Sequence, residues 1–488
     1  MEVVEHRRTL VALAGPVYVE LLAGVAAGII NMVWVARLGG AAVAAVAAAT
    51  NVENLLLGVI LVAGSGTTAL VARARGAGDP AALRSAVRGG WALWALVTPV
   101  VAVGGCLCRA PLARLVLGTG EGGAPALAAG YFAIALPGIA VFFAANVVDG
   151  ILKGAGDTRT PMRLALLANG LILCLDPLFI LGFGLGVRGA AVATVLGRTA
   201  ALICGLLALR RNGVLRWAAP AGGGRVRGGP NADARGGPDT DARRSLAADA
   251  RRTAATGLPM SAEFTVRMAG ALALVAVVAR LGVAEVAAYG IATKAMYVAT
   301  MAFYAVRQAA VIRTAHLLGA GHDARRAVGR QALLVAAALG LTAAAALLAA
   351  APWIMRAFGG EGAVAGAGAL YLRCVGPYLL LLACFIALGG VFEGSGASPA
   401  LARVTACGVA VQLALAYALS GWGLPGVCLA MGLSMAAQCA AVAVMYRRTA
   451  RPDRPRTSAP APDGPSPRSN SGGAPAHEPR APHAQGLS

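Results

Sequence analysis

The chain has 488 residues, of which 58% are hydrophobic and only 13% charged, with a mean hydropathy of +0.71. Soluble domains carry about 25% charged residues, so a soluble globular protein is excluded. The net charge of +21 falls on short segments between apolar runs, the distribution of cytoplasmic loops in a membrane protein, and the low aromatic content argues against a nucleic-acid partner.

A bilayer crossing needs about 20 apolar residues. Such runs are predicted over 10–36, 49–72, 88–108, 128–152, 162–182 and 188–209, and again over 256–279, 290–315, 328–350, 367–391, 402–420 and 424–446. The chain is therefore expected to be an all-α polytopic membrane protein with twelve transmembrane helices. Pro16, Pro99, Pro137, Pro259 and Pro377 fall inside spans, where a missing N–H kinks a helix. The first apolar stretch is too long for a cleavable signal peptide and runs on into further spans. Two stretches are polar. Residues 211–255, rich in Gly, Ala, Asp and Arg, read as a flexible cytoplasmic linker, and 448–488 as a disordered cytoplasmic tail, because neither buries enough surface to offset its ordering entropy. An N-terminal six-helix lobe over 1–210 and a C-terminal lobe over 256–447 follow.

With the N-terminus inside, fourteen basic residues fall on inner short segments and six on outer ones. The positive-inside rule then places both termini in the cytoplasm and the chain in the plasma membrane. The nine cysteines show no metal-ligand spacing and read as small core residues.

The two halves repeat. A shift of 243 residues places Pro16 on Pro259, Glu20 on Glu263, Ala36-Arg-Leu-Gly39 on Ala279-Arg-Leu-Gly282 and Gly76-Ala-Gly78 on Gly319-Ala-Gly321. A shift of 240 pairs Tyr131 with Tyr371, Pro137 with Pro377, and Gly150, Gly154 and Gly156 with Gly390, Gly394 and Gly396. Two six-helix units in the same order are parallel repeats about an axis along the membrane normal, an arrangement that puts a substrate cavity between lobes.

Several motifs carry a family resemblance: Pro16 with the later Arg37-Leu-Gly-Gly40, then Val71-Ala-Arg-Ala-Arg-Gly-Ala-Gly-Asp79, Gly150-Ile-Leu-Lys-Gly-Ala-Gly-Asp-Thr-Arg-Thr-Pro-Met162, Leu175-Asp-Pro177 and Gly189-Ala-Ala-Val-Ala-Thr194. In their order and spacing over roughly 10–446 the chain resembles the multidrug and toxic compound extrusion (MATE) family, and most closely its prokaryotic DNA-damage-inducible-F-like branch. The resemblance implies a secondary active antiporter that exports cationic or amphipathic drugs or metabolites in exchange for protons or sodium, by alternating access of two lobes. It implies no cofactor beyond the coupling ion, with a small organic molecule and the lipid bilayer as partners and a monomer as the assembly. No GxxxxGK[ST] loop is present, in line with an ion gradient as the energy source.

Ionisable residues at membrane depth are functional candidates. By resemblance Asp176 is the cation-responsive carboxylate of the first lobe, with Asp149 and Thr194 completing its network and Asn169 two turns back on the same face. Asp149 has a second reading, as a backbone cap beside Gly150 or a partner of Lys153 one turn on. The chain departs from the family at Asn31, where many members carry an acid, and at Ile172, so either Asp149 and Asp176 suffice or Glu20 has taken over. Glu20 and Glu263, with Asn31, Asn146 and Tyr131, are expected to line the substrate cavity; for Glu263 an i,i+4 pair with Arg267 is the alternative, and for Glu53 a pair with Lys294. A flippase for a lipid-linked or polysaccharide precursor shares the fold. It needs clustered Arg or Lys for phosphates, whereas the first lobe is mainly acidic and Arg267, Arg307 and Arg373 lie in the second. No Ser, His and Asp cluster suggests an enzyme.

Overall fold

The computed structural model describes residues 2–118, 123–211, 238–357 and 362–449. In the first half run α1 (Glu2–Ala36), α2 (Gly40–Gly76), α3 (Pro80–Leu107), a short α4 (Arg109–Leu117), α5 (Ala124–Gly154), α6 (Arg159–Pro177) and α7 (Val187–Arg211). The second half has α8 (Pro238–Val278), α9 (Val283–Gly319), α10 (Arg325–Ala357), α11 (Gly362–Cys374), α12 (Gly376–Ser395), α13 (Ser398–Ala418) and α14 (Gly423–Thr449). There is no β-strand among the described residues. Among the described residues twelve helices are long and apolar enough to cross a membrane, and they coincide in order and position with the predicted spans.

The glycine motifs between helices are turn chemistry. Gly78, Gly156, Gly321 and Gly396 all have φ between 64° and 85°, a region that costs a residue with Cβ but not glycine. An aspartate follows directly at two of them. Asp79 accepts from the N–H groups of Ala81 and Ala82 at 2.8 and 3.0 Å, and Asp157 from those of Arg159 and Thr160 at 3.1 and 3.0 Å. Asp79 is thus the N-cap of α3, and Asp157, one residue before the N-cap Thr158, satisfies the first N–H groups of α6 in the same way. Asp323 does the same for the N–H of Arg325 and also accepts from its guanidinium at 2.6 and 2.8 Å. Those hydrogen bonds hold the Asp323 carboxyl below its usual value.

Repeat-related spans differ at one proline. Pro137 sits inside the continuous α5, whereas its counterpart Pro377 follows Gly376 and the tenth span divides there into α11 and α12.

Two cores form, and each takes in part of the other half's first helix. The first gathers α2, α3, α5 and α7 around Phe132, Phe143 and Ile151, with Val35 from the end of α1, and Ala250 and Ala254 from the beginning of α8 packed against it. The second gathers α9 to α14 around Phe303, Tyr371 and Phe385, with Leu274 and Val278 from the end of α8 and Leu10, Ala14 and Val17 from the beginning of α1. Both first helices therefore cross from one core to the other near Pro16 and Pro259.

The segment from 238 to 255, within the stretch read as a flexible linker, is helical and continuous with the seventh span. Asp249 pairs with Arg88 at 2.7 Å and accepts from Ser85, and Thr253 is buried beside Gly89. Docking on α3 supplies the order that composition alone does not suggest. The rest of that stretch, 212–237, and the tail from 450 onward lie outside the described residues.

At the end of the bundle that carries Arg73, Arg75 and Arg313 the halves meet through glycine. A Cβ on Gly76 would overlap the carbonyl oxygen of His316, and one on Gly319 the carbonyl oxygen of Arg73. Under the 243-residue shift His316 is the counterpart of Arg73, so the two contacts are one contact seen twice, across a pseudo-twofold axis. Gly66 and Gly257 approach the facing backbones of α8 and α2 in the same way. Elsewhere Leu96, Val100, Leu107, Trp353 and Trp422 are exposed, as a lipid-facing surface requires. The cysteines correct the sequence reading. All nine are free, but Cys108, Cys174, Cys204 and Cys407 lie on the exposed surface and only Cys428 is buried.

Candidate functional site

Asp176 is completely buried at the end of α6. The Nδ2 of Asn31, near the end of α1, donates to its Oδ2 at 2.7 Å, while Oδ1 is sealed from solvent with no hydrogen-bond partner. Pro177 follows immediately and interrupts the α-ladder. The chain continues as a π-turn over Leu178–Gly182, closed by the N–H of Phe183 donating to the carbonyl of Leu178 at 2.8 Å. π-Turns of this kind recur at functional positions in helices. One oxygen of this buried carboxylate is thus hydrogen-bonded and the other is not, on a helix whose geometry already departs from α.

Thr194 lines a small cavity in the same half with Glu53, Tyr131, Phe142 and Arg198. Tyr131 is buried and donates to Glu53 Oε1 at 3.1 Å; Glu53 is thus held by a phenol, not by Lys294. The Arg198 guanidinium lies 4.1 Å from the Phe142 ring centre, a cation–π contact. Asn169 is half-buried. Asn146 donates to the Phe142 carbonyl at 3.1 Å, a bond within its own helix, and lies against Gly64.

Asp149 is brought not to Asp176 but to Lys153. The buried Lys153 ammonium sits 2.6 Å from Asp149 Oδ2 and 2.8 Å from Glu20 Oε1. Glu20 Oε2 is sealed and has no hydrogen-bond partner among the described residues. Glu20 and Asn31 stand eleven residues apart on α1, about 16 Å along a helix axis, so this cluster and the Asp176 pair are separate sites at different depths.

The second half holds a matching cluster of another composition. Glu263, 3% exposed, is ion-paired with both Arg267 and Arg307, and Arg307 reaches Glu393 at 2.7 and 3.0 Å through two nitrogens. The expected Glu263–Arg267 pair is present, inside a larger network. The alternative reading of Asp149, a pair with Lys153, is the one present, whereas Glu393 and Arg198 were not read as site residues and Lys153 only as that partner. The repeat contained the signal for Lys153 and Glu393, because a shift of 240 residues places one on the other.

Comparison with known proteins gives the same family from sequence and from structure. The MatE family model matches residues 16–178 and 259–418, two segments that begin at the repeat-related prolines. A probable multidrug resistance protein NorM of Thermotoga maritima is 34% identical over 205 residues, 40% of this chain and 43% of that protein. DNA damage-inducible protein F of Escherichia coli is 32% identical over 181 residues, 36% of each. The matched region spans less than half the length of these curated relatives. A crystal structure of MATE in complex with MaL6 superposes with a TM-score of 0.80 at 22% identity, covering 91% of this chain and 96% of that one, which establishes the shared fold. Two matched repeats, twelve spans and this superposition make the chain a multi-pass membrane protein of the MATE (MatE) family, a family of transporters and not of enzymes.

Proposed function

We propose that the protein is an antiporter that exports cationic or amphipathic organic compounds across the plasma membrane in exchange for protons, by alternating access of its two halves. The observation that carries this reading is the Asp176–Asn31 pair. An ionised Asp176 accepts from the Asn31 amide, and a protonated one donates to the Asn31 carbonyl once the amide turns over. The tie between α6 and α1 thus survives in both states with its polarity reversed. Loading a proton removes a buried charge beside Pro177 and the π-turn, where the backbone can change shape. Such a change couples ion to substrate because the two occupancies favour different conformations. The names of the relatives, multidrug resistance proteins among them, agree with organic compounds as cargo.

The positive-inside rule puts the glycine-sealed end, with Arg73, Arg75 and Arg313, in the cytoplasm together with both termini, and the Asp176 pair in the outer half. The flippase alternative loses ground. Two of the three second-lobe arginines that would have to hold phosphates, Arg267 and Arg307, are already engaged by Glu263 and Glu393.

The test is efflux of a cationic dye from proteoliposomes with proton and sodium gradients imposed separately, at matched protein content. Export driven by the proton gradient and lost in Asp176→Asn is the expected result. Normal export by Asp176→Asn moves the coupling elsewhere, and export driven only by sodium overturns the choice of ion.

A further inference from the structure

We propose that Glu20, Asp149 and Lys153 form a second proton-binding site, distinct from Asp176, which ties α1 to α5 when empty and frees it when loaded. It rests on the antiporter reading for its purpose, though not for its test.

The argument begins with charge. Lys153 supplies one positive charge against two carboxylates, so the cluster carries an excess of one negative charge in a setting where an uncompensated charge is costly. The structure shows where the missing positive charge belongs. Glu20 Oε2 is sealed from solvent and has no hydrogen-bond partner, while its other oxygen is held by Lys153. A metal cation is a poor fit, because the ammonium already occupies the space between the two carboxylates. A proton on Oε2 fits.

Among the described residues, the charged groups that face Glu20 are Lys153 and Asp149, both on α5; the helices packed on α1, namely α2, α6, α7, α9 and α10, bring none to it. Protonation forms an O–H bond at Glu20 and turns its ion pair with Lys153 into a weaker hydrogen bond from the ammonium to a neutral carboxyl. Lys153 keeps its proton and remains neutralised by Asp149 one turn away on its own helix. Asp149 is therefore a positioning residue: it keeps the ammonium paired, so that Glu20 can let go without stranding a buried cation. Loss of the proton from Glu20 restores the ion pair. Glu20 stands four residues after Pro16, where α1 crosses from one core to the other, so the tie it makes governs the crossing helix.

The second half shows what a cluster without this property looks like. There two arginines face two acids, charge is balanced, and no proton is called for.

The experiment uses the full-length protein in nanodiscs, without substrate or gradient, across a pH series. Hydrogen–deuterium exchange is followed in peptides of α1 around Glu20, and protonated carboxyls are followed by infrared difference spectroscopy. In the wild type, exchange around Glu20 is expected to switch from slow to fast as pH falls. Glu20→Gln, which imitates the loaded state, should exchange fast at every pH. Asp149→Asn should stay slow at every pH, because Lys153 then has only Glu20 to pair with. Each substitution should remove one titrating carboxyl band, and Asp176→Asn should keep the switch. A structural ion pair would instead make Glu20→Gln and Asp149→Asn loosen α1 alike, and that result overturns the proposal. So does a wild type without a switch, which remains decisive if a variant fails to insert. Loss of the switch in Asp176→Asn would reduce two sites to one. Failure of dye export leaves this proton site standing, since no transport enters the measurement.

Discussion

The charge clusters of the two halves occupy equivalent places and differ by a few residues. Glu20 and Glu263 are repeat partners. Lys153 in the first half is Glu393 in the second, and Asp149 is Gly389. Arg267 and Arg307 correspond to Gly24 and Gly64. The guanidinium of Arg307 lies beside Gly389, 3.5 Å from where its Cβ would be, in the room that Asp149 fills in the other half. Moving the cation from one helix to its neighbour, and adding a second, changes a cluster with one excess negative charge into a balanced one. Duplication supplied two copies of a scaffold, and exchanges between glycine and charge made one adjustable and the other fixed.

The sharpest way to break this comparison is to remove the fixed cluster's centre. Arg307→Ala leaves Glu263 with Arg267 alone and Glu393 with no cation, and stranding buried charge in this way costs about 3–5 kcal/mol; thermal unfolding in detergent should show a large loss. The equivalent insult in the first half, Lys153→Ala, should cost less. Lys153→Ala strands two carboxylates, Glu20 and Asp149, where Arg307→Ala strands one, Glu393, so two groups rather than one are relieved by protonation and its deficit should shrink more steeply as pH falls. Equal losses with equal pH profiles would erase the distinction between the halves.

The shared interface should respond symmetrically. Gly76→Leu and Gly319→Leu each drive a side chain into the facing backbone, so each should part the sealed end and raise labelling of residues near Arg73 and His316 by a membrane-impermeant reagent from that side. An effect from one glycine and not the other would contradict the pseudo-twofold contact. The smallest effects belong to the turns. Asp79→Ala and Asp157→Ala each remove the side-chain acceptor for the first N–H groups of a helix, at about 1 kcal/mol, again alike in size. Asp323, held below the usual carboxylate value by Arg325, contributes stability that is present above its unfolded pKa and lost as pH falls through its folded value. Asp323→Asn should flatten that acid limb slightly.

The spans, the repeat and the family were legible because they rest on long apolar runs and on motifs with fixed spacing. Of the clusters only the i,i+4 pairs Asp149–Lys153 and Glu263–Arg267 were legible, and the reason is local. The fourth span was predicted to end at residue 152 and the tenth at 391, whereas α5 continues to Gly154 and α12 to Ser395. Those few residues move Lys153 and Glu393 from loops into buried helix, and apolar periodicity says nothing about how far a helix runs beyond its greasy stretch. Asn31 and Asp176 were both marked as candidates, but their hydrogen bond joins residues 145 positions apart, which no local pattern encodes. The helix over 238–255 was missed because its order comes from Arg88, Ser85 and Gly89, on another part of the chain.

The crossing of the first helices also sets an order of assembly. Leu10, Ala14 and Val17 belong to a core whose other members begin at Leu274, so α1 is made long before its final neighbours exist. Ala250 and Ala254 complete the earlier core only after the central connection has been made. During synthesis the leading six spans must wait, with α1 half-docked, until the eighth and ninth helices arrive. A nascent chain halted between the halves would present that unfinished face to the bilayer, and to whatever quality-control machinery inspects it.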